Sequence, residues 1–147
     1  MTVSAKTDFE IEATPDAVMG VLLDVESLPE WSDPHKSVEV LERDDDSRPS
    51  LVRIEVSMIG LSDQQTLRYS WTDNTCEWEL VESKILDTQH GRYEVTPSGD
   101  GSHVEFTLEI DLKIKVPGLV VKRGQKIAVD TAAKGLTKEV QRRTAAA

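Results

Sequence analysis

The stretch "HVEFTLEIDLKIKVPGLVV", residues 103 to 121, decides the fold class because it shows where a long strand ends and a long helix begins. Apolar and polar side chains alternate from Val104 to Ile114, which is typical of a strand with one buried and one solvated face. Pro117 and Gly118 then interrupt the alternation. Everything after them follows a helical period.

The sequence after Gly118 predicts one helix that runs to about Arg143. Its apolar stripe consists of Val129, Ala132, Ala133, Leu136 and Val140. Small residues form a second stripe, made of Gly124, Ala128, Thr131 and Gly135. Glycine inside a helix costs roughly 1 kcal/mol relative to alanine, so the small stripe needs a physical reason. Two interpretations remain: close contact with a sheet, or volume left free for a ligand.

Upstream of residue 103 the sequence predicts an antiparallel meander of further strands, because short polar turns separate segments that alternate with a period of two. Those segments are residues 37–42, 51–60, 65–73, 75–83 and 88–96, and an earlier strand lies in residues 6–14. Thr14-Pro15-Asp16 has the form of a helix start. Ser27 and Glu30 fit a capping box for a second, one-turn helix that Pro34 stops. We therefore predict one α+β domain over residues 1–147.

Net charge restricts the function classes. The chain carries −10, which argues against general binding to nucleic acid or to anionic membranes. Residues 113–147 carry +7 and residues 1–112 carry −17, so the helix is basic and the sheet is acidic. The basic helix either lies against the acidic sheet or meets an anionic ligand or partner.

Membrane insertion is not expected, because no apolar run approaches the ~18 residues that span a bilayer. The single Cys76 permits no internal disulfide, which is compatible with a reducing compartment. We therefore expect a cytoplasmic protein that is a monomer or a weak dimer.

Four stretches resemble the START-like superfamily, and specifically its polyketide cyclase/dehydrase branch. They are "FEIEATPDAVMGVLLDVESLPEW" (9–31), "LRYSWTDNTCEWELVES" (67–83), "GRYEVTPSGDGSHVEFTLEIDL" (91–112) and "VPGLVVKRG" (116–124). The resemblance covers nearly the whole chain. It implies the helix-grip fold, in which a curved seven-stranded antiparallel sheet wraps around a long C-terminal helix, with two short helices between strands 1 and 2.

The resemblance further implies a deep apolar cavity between sheet and helix, with the short helices near its mouth. Trp31 either lines that cavity or seals the helical corner against the sheet as a wedge. The residues expected to line the cavity are Trp31, Val56, Met58, Leu67, Tyr69, Trp71, Trp78, Tyr93, Phe106, Gly124, Ala128 and Thr131.

Catalytic and metal-binding patterns are sparse. His35 has a pKa suited to proton transfer, and Tyr69 and Tyr93 are possible hydrogen-bond donors to an enolate, so these three are the catalytic candidates. No acid, arginine or histidine is expected on the inward faces of the strands. Cys76 is expected to be a buried, inert thiol. No histidine or cysteine spacing fits a metal site and no cofactor motif is present, so neither a metal nor a cofactor is expected.

Three functional hypotheses remain. The first is binding of a hydrophobic or amphipathic small molecule, such as a lipid, an isoprenoid or a polyketide-like species. The second is a polyketide cyclase or dehydratase, which requires an inward acid or base beside the ligand. The third is a protein-interaction module whose cavity is filled by its own side chains.

Overall fold

The computed structural model describes residues 1–146, and over these residues seven strands form one antiparallel sheet in the order β1-β7-β6-β5-β4-β3-β2. The strands are β1 (Thr2–Ile11), β2 (His35–Arg43), β3 (Pro49–Met58), β4 (Leu61–Trp71), β5 (Thr75–Glu82), β6 (Leu86–Ser98) and β7 (Gly101–Leu112). Strands β2 to β7 form a meander, and β1 returns to pair with β7. The predicted α+β helix-grip architecture is confirmed.

Strand β7 has the alternation that its sequence predicts. Val104 and Phe106 are buried, whereas Glu105 and Thr107, which alternate with them, are exposed. The neighbouring strands bury the same face, with Val95 on β6 and Leu67 on β4 almost fully enclosed. The sheet therefore has one apolar inner face, and the long helix lies on that side.

Two short helices, α1 (Pro15–Leu23) and α2 (Leu28–Trp31), lie between β1 and β2 as predicted, with a 3₁₀ turn (Val25–Ser27) joining them. The Thr14 hydroxyl accepts a hydrogen bond from the Ala17 N–H at 3.2 Å, which confirms the first helix start. The capping box at Ser27 is wrong. The Ser27 hydroxyl instead donates to the Asp24 carbonyl at 2.7 Å, because the 3₁₀ turn runs directly into α2 and leaves no helix start to cap.

The predicted long helix extends from Gly118 to Ala146, slightly beyond its expected end. It consists of α3 (Gly118–Asp130), a π-helical turn (Thr131–Gly135) and α4 (Leu136–Ala146). Ala132, Leu136 and Val140 of the predicted apolar stripe are buried, and Val129 and Ala133 are partly buried. No helix within residues 1–146 is long and apolar enough to span a bilayer.

Arg143 links α4 to the end of α1 and is itself held by the buried carboxylate of Glu139. Arg142 and Arg143 both donate to it, at 2.6–2.9 Å, and these hydrogen bonds lower the pKa of Glu139 to about 2. Arg143 also pairs with Asp24, at the end of α1, at 3.1 Å. The basic charge at the end of the long helix is therefore largely used inside the protein.

The stripe of small residues combines a close contact with free volume, but the contact is with α2 and not with the sheet as expected. A Cβ placed on Gly135 would lie 2.6 Å from the Trp31 carbonyl oxygen, so this glycine permits close contact. A Cβ placed on Gly124 would meet only the Met58 sulfur, at 3.9 Å, so this glycine faces open space. Contact and free volume occur on the same helix, about three turns apart.

These two glycines make a matched pair for a stability test. Gly124→Ala should raise the free energy of unfolding by up to about 1 kcal/mol, because alanine is the better helix former and meets no obstacle. Gly135→Ala should lower the free energy of unfolding by roughly 1–3 kcal/mol, because its methyl group overlaps the Trp31 backbone. Urea denaturation of both variants measures the difference, and changes of the same sign would contradict this account of the stripe.

Candidate ligand cavity

A cavity of about 260 Å³ lies between the inner face of the sheet and the long helix. It exceeds the ~150 Å³ apolar cavities that bind benzene and approaches the ~300 Å³ lower bound of typical ligand pockets. Most of the side chains that line it are aliphatic or aromatic. Within residues 1–146 the wall contains one acidic residue, Asp63, and no lysine or arginine.

Eleven of the twelve residues expected to line the cavity border it. They are Trp31, Val56, Met58, Leu67, Tyr69, Trp78, Tyr93, Phe106, Gly124, Ala128 and Thr131. Trp71 does not border the cavity, although it belongs to the same face of β4. Its Nε1–H donates to the Pro49 carbonyl at 2.7 Å, which holds the indole at the end of the sheet. Whether the eleven contact a ligand stays a prediction.

An aromatic row crosses four strands along the cavity. Each ring of Trp71, Tyr69, Trp78, Tyr93 and Phe106 lies 5.0–5.8 Å from the next in that order. Gly91 makes room for the row, because a Cβ there would lie 2.1 Å from the Trp78 ring. The Trp78 indole therefore lies directly over the backbone of β6, and the row forms a wall with little freedom to rearrange.

A chain of hydrogen bonds follows the cavity wall. Trp78 Nε1 donates to Gln89 Oε1 at 3.0 Å, and Gln89 Nε2 donates to Gln65 Oε1 at 2.9 Å. Gln65 Nε2 donates to Asp63 Oδ2 at 3.1 Å. All four side chains line the cavity. The expectation of no inward acid or histidine is therefore wrong, since Asp63 and His35 both border the cavity.

The missed polar residues have a sequence signal. Asp63 and Gln65 continue, at a period of two, the inward alternation of Leu67 and Tyr69 on β4. The strand starts at Leu61, four residues earlier than the segment predicted from residue 65. Polar side chains on the inner face made this part of β4 resemble a turn.

The Asp63 carboxylate accepts hydrogen bonds from three donors of the protein. Besides Gln65, it accepts hydrogen bonds from the Ser83 hydroxyl and from the Lys84 N–H, the latter at 3.3 Å. Ser83 in turn accepts from the N–H groups of Ile85 and Leu86. Asp63 therefore fastens the β5–β6 turn against β4, and three donors already stabilise its negative charge.

The segment from Trp31 to His35 forms another part of the wall. A 2.6 Å hydrogen bond joins the buried Ser32 hydroxyl to His35 Nδ1. Burial lowers the pKa of His35 to about 4, so its imidazole is neutral at pH 7. Trp31 contacts Gly135 of the long helix and also borders the cavity, and whether it serves a ligand or acts as a wedge stays a prediction.

The three catalytic candidates border the same cavity, but no hydrogen bond joins His35 to either tyrosine within the described residues. Burial raises the pKa of both Tyr69 and Tyr93, so their hydroxyls remain protonated donors. Their catalytic roles stay predictions. Cys76 is buried, as expected, and that burial raises the pKa of its thiol; that the thiol is inert stays a prediction. Over residues 1–146, no cluster of three His, Cys, Asp or Glu side chains suits a metal ion.

The wall between the β3–β4 hairpin and the start of α3 is only partly enclosed. Ile59 and Gly60 at the hairpin tip have φ values of +53° and +77°, an uncommon conformation for a β-branched residue such as Ile59. Met58, Leu61 and Val121 nearby are only partly buried. At the other end, residues such as Leu22, Leu67 and Cys76 are buried. We infer that the cavity opens beside the hairpin.

The sequence matches a known family model, and the structure is similar to solved structures of other proteins. The family model described as polyketide cyclase / dehydrase and lipid transport matches residues 2–145. A START superfamily protein from Mycobacterium smegmatis has a similar structure, with a TM-score of 0.84, 24% identity and coverage of 95% of this chain and 97% of that chain. A protein from Thermus thermophilus is also similar, with a TM-score of 0.81, 25% identity and coverage of 95% of this chain and 98% of that chain.

An aromatase/cyclase from Streptomyces sp. R1128 is also similar, with a TM-score of 0.80 and 17% identity. The alignment covers 98% of this chain and 96% of that chain, so the likeness concerns the whole fold. No curated protein matches the sequence at a significant level.

The neutral His35 predicts a pH dependence of stability. Its pKa is lowered from 6.5 to about 4 on folding, so the unfolded chain binds more protons between these values. The free energy of unfolding should therefore be highest above pH 6.5 and fall by roughly 2–3 kcal/mol as the pH drops to 4. His35→Gln should flatten the curve in this window, as measured by urea denaturation at each pH.

His90 provides the control, because it is exposed on β6 beside Glu77. His90→Gln should retain the slope of the unsubstituted protein between pH 6.5 and 4. The lowered pKa of Glu139 changes the free energy of unfolding mainly between pH 4.5 and about 2. It therefore has little effect on the comparison between pH 6.5 and 4. An unchanged slope in His35→Gln would contradict the buried neutral imidazole.

Proposed function

The chain belongs to the polyketide cyclase/dehydrase and lipid transport family, and on that premise we propose that it binds a hydrophobic or amphipathic small molecule in its cavity. The observation that carries the proposal is the unfilled volume of about 260 Å³ behind an almost uncharged wall. This volume speaks against an interaction module with a collapsed cavity. Lipids, isoprenoids and polyketide-like species are the candidate ligands.

The energetics support modest affinity. A ligand that buries ~300 Å² of apolar surface gains roughly 7 kcal/mol before the costs of association. These costs take at least about 4 kcal/mol and leave at most about 3 kcal/mol, so a dissociation constant in the millimolar range or weaker is expected unless polar contacts or further apolar burial add to the affinity. The aromatic row requires little rearrangement, which keeps the ordering cost low.

A polyketide cyclase or dehydratase is the second candidate function. The observation in its favour is that His35, Tyr69 and Tyr93 face one cavity, where a neutral imidazole is able to accept a proton. Binding requires less, because Asp63 is already held by three donors and no cationic side chain lines the described wall to stabilise an enolate. A bound polyketone recovered unchanged after incubation supports binding over catalysis.

The start of the long helix is the best place for the anionic partner that the charge pattern suggests. A basic rim is formed by the exposed residues Lys113, Lys115, Lys122 and Arg123. No acidic residue lies between these positions in the sequence, and Leu119 is 78% exposed. This basic rim lies beside the half-buried residues Val120 and Val121 of the cavity wall. We propose that the rim docks on an acidic phospholipid surface, where an apolar ligand enters or leaves.

The cavity is tested by filling it. Ala128→Phe should place an aromatic ring in the free volume and weaken the binding of Nile red at least tenfold, with little loss of thermal stability. Lys134→Phe is the control, because Lys134 lies on the same helix with 79% of its side chain exposed. A variant that melts several degrees lower yet binds Nile red unchanged would refute the cavity as the binding site.

The basic rim is tested with vesicles. Lys122→Glu combined with Arg123→Glu should weaken sedimentation with phosphatidylcholine vesicles that contain phosphatidylglycerol by roughly tenfold or more, because each basic residue contributes about 1 kcal/mol at such a surface. Arg68→Glu combined with Arg92→Glu, on the sheet, changes the net charge equally and should have a smaller effect. Equal losses in the two double variants would indicate net charge rather than docking.

A further inference from the structure

Trp31 has an unpaired hydrogen-bond donor inside the protein. Its Nε1 is buried and has no partner, and no other buried side-chain nitrogen or oxygen within residues 1–146 shares this state. The Cε3 edge of the indole lies 3.3 Å from a Cβ position on Gly135, so that edge faces the long helix. Nε1 is on the other side of the ring. A buried N–H without an acceptor is costly, so the arrangement calls for an acceptor from outside the chain.

The other two tryptophans show that the fold normally provides such acceptors. Trp71 Nε1 donates to the Pro49 carbonyl at 2.7 Å, and Trp78 Nε1 donates to Gln89 Oε1 at 3.0 Å. The missing acceptor is therefore specific to Trp31, which lines the cavity. An oxygen atom of a bound molecule would supply it.

The charges of the cavity wall restrict which chemical group of a ligand supplies the acceptor oxygen. No lysine or arginine borders the cavity in the described chain, so a carboxylate or phosphate buried there would lose its hydration without gaining a counter-ion. Asp63 adds a negative charge to the same wall and would repel an anion. An ionised head group is therefore disfavoured on both counts.

The remaining polar groups are neutral donors. Tyr69 and Tyr93 border the cavity, and their hydroxyls make no hydrogen bond within residues 1–146; unlike Trp31 Nε1, these hydroxyls are not fully enclosed. The side-chain amides of Gln65 and Gln89 each donate one N–H within the hydrogen-bonded chain and keep a second. Neutral oxygens, such as those of ketones, quinones or esters, match this set of donors.

We propose that the cavity selects uncharged ligands in which a carbonyl or similar neutral oxygen accepts the Trp31 N–H, and that it discriminates against carboxylates. This inference rests on the binding function proposed above and specifies its ligand class. It predicts that the cavity distinguishes uncharged apolar molecules with an acceptor oxygen from free fatty acids. The apolar volume alone does not make this distinction.

Three naphthalenes of nearly the same shape test the proposal. 2-Acetylnaphthalene carries a ketone, 2-isopropenylnaphthalene replaces the oxygen with a methylene group, and 2-naphthoate carries a carboxylate. Their affinities are measured by displacement of Nile red at pH 8 from the unsubstituted protein, from Trp31→Phe and from Trp71→Phe. Trp71→Phe is the matched control, because it removes an indole N–H that does not border the cavity.

Trp31→Phe should weaken the ketone about tenfold more than the methylene isostere, because only the ketone loses a hydrogen bond. Trp71→Phe should change both affinities by the same factor. 2-Naphthoate should bind the unsubstituted protein at least tenfold more weakly than the ketone. Equal losses of ketone and isostere in Trp31→Phe, or equal affinities for carboxylate and ketone, would overturn the proposal.

A second measurement covers the case in which Trp31→Phe does not fold. In the unsubstituted protein, the indole N–H proton resonance of Trp31 should move downfield with 2-acetylnaphthalene and not with the isostere. Identical shifts with both ligands would also overturn the proposal. If neither neutral naphthalene nor Nile red binds at all, the binding function itself fails; if they bind without these differences, only the ligand class fails.

Discussion

The contact between Gly135 and Trp31 is the constraint on which the rest of the structure depends. The Trp31 carbonyl occupies the place where any other residue at position 135 would carry its Cβ, so the long helix is held there at backbone distance from α2. The π-helical turn ends at this glycine. From this fixed point the helix continues toward the β3–β4 hairpin with small residues facing the sheet, and the space beside Gly124 and Ala128 remains unfilled.

The walls of this space are held by interactions that do not need a ligand. Asp63 fastens the β5–β6 turn, the two glutamines pass hydrogen bonds from Trp78 to Asp63, and Gly91 seats the Trp78 ring on β6. Arg143, held by Glu139, links the far end of the helix to Asp24 at the end of α1. The donors without partners, at Trp31, Tyr69 and Tyr93, border the cavity. The structure thus pairs its polar groups where they support the fold and leaves donors free where a ligand would lie.

How much of the fold and of the cavity the sequence predicts depends on how far apart in the sequence the interacting residues lie. The strict alternation in β7 and the Thr14 cap depend on neighbouring residues, so the strand and the helix start are predictable. The close approach of Gly135 to Trp31 joins residues distant in sequence, so no local period reveals it. Trp71 shares the periodicity of Tyr69, yet it lies at the end of β4, donates to the Pro49 carbonyl and does not border the cavity. Asp63 and Gln65 were missed because buried polar residues interrupt the apolar pattern that marks an inner face.

The central claim is that the space behind the Gly135–Trp31 contact holds an uncharged small molecule. Native mass spectrometry of the protein purified from its natural source, with the Ala128→Phe variant expressed and purified in the same way, tests this most directly. The account predicts a noncovalent adduct on the unsubstituted protein that organic solvent extracts as a neutral, oxygen-containing compound, and no such adduct on the variant. An adduct present equally on both proteins, or one that proves to be a carboxylate, would contradict it.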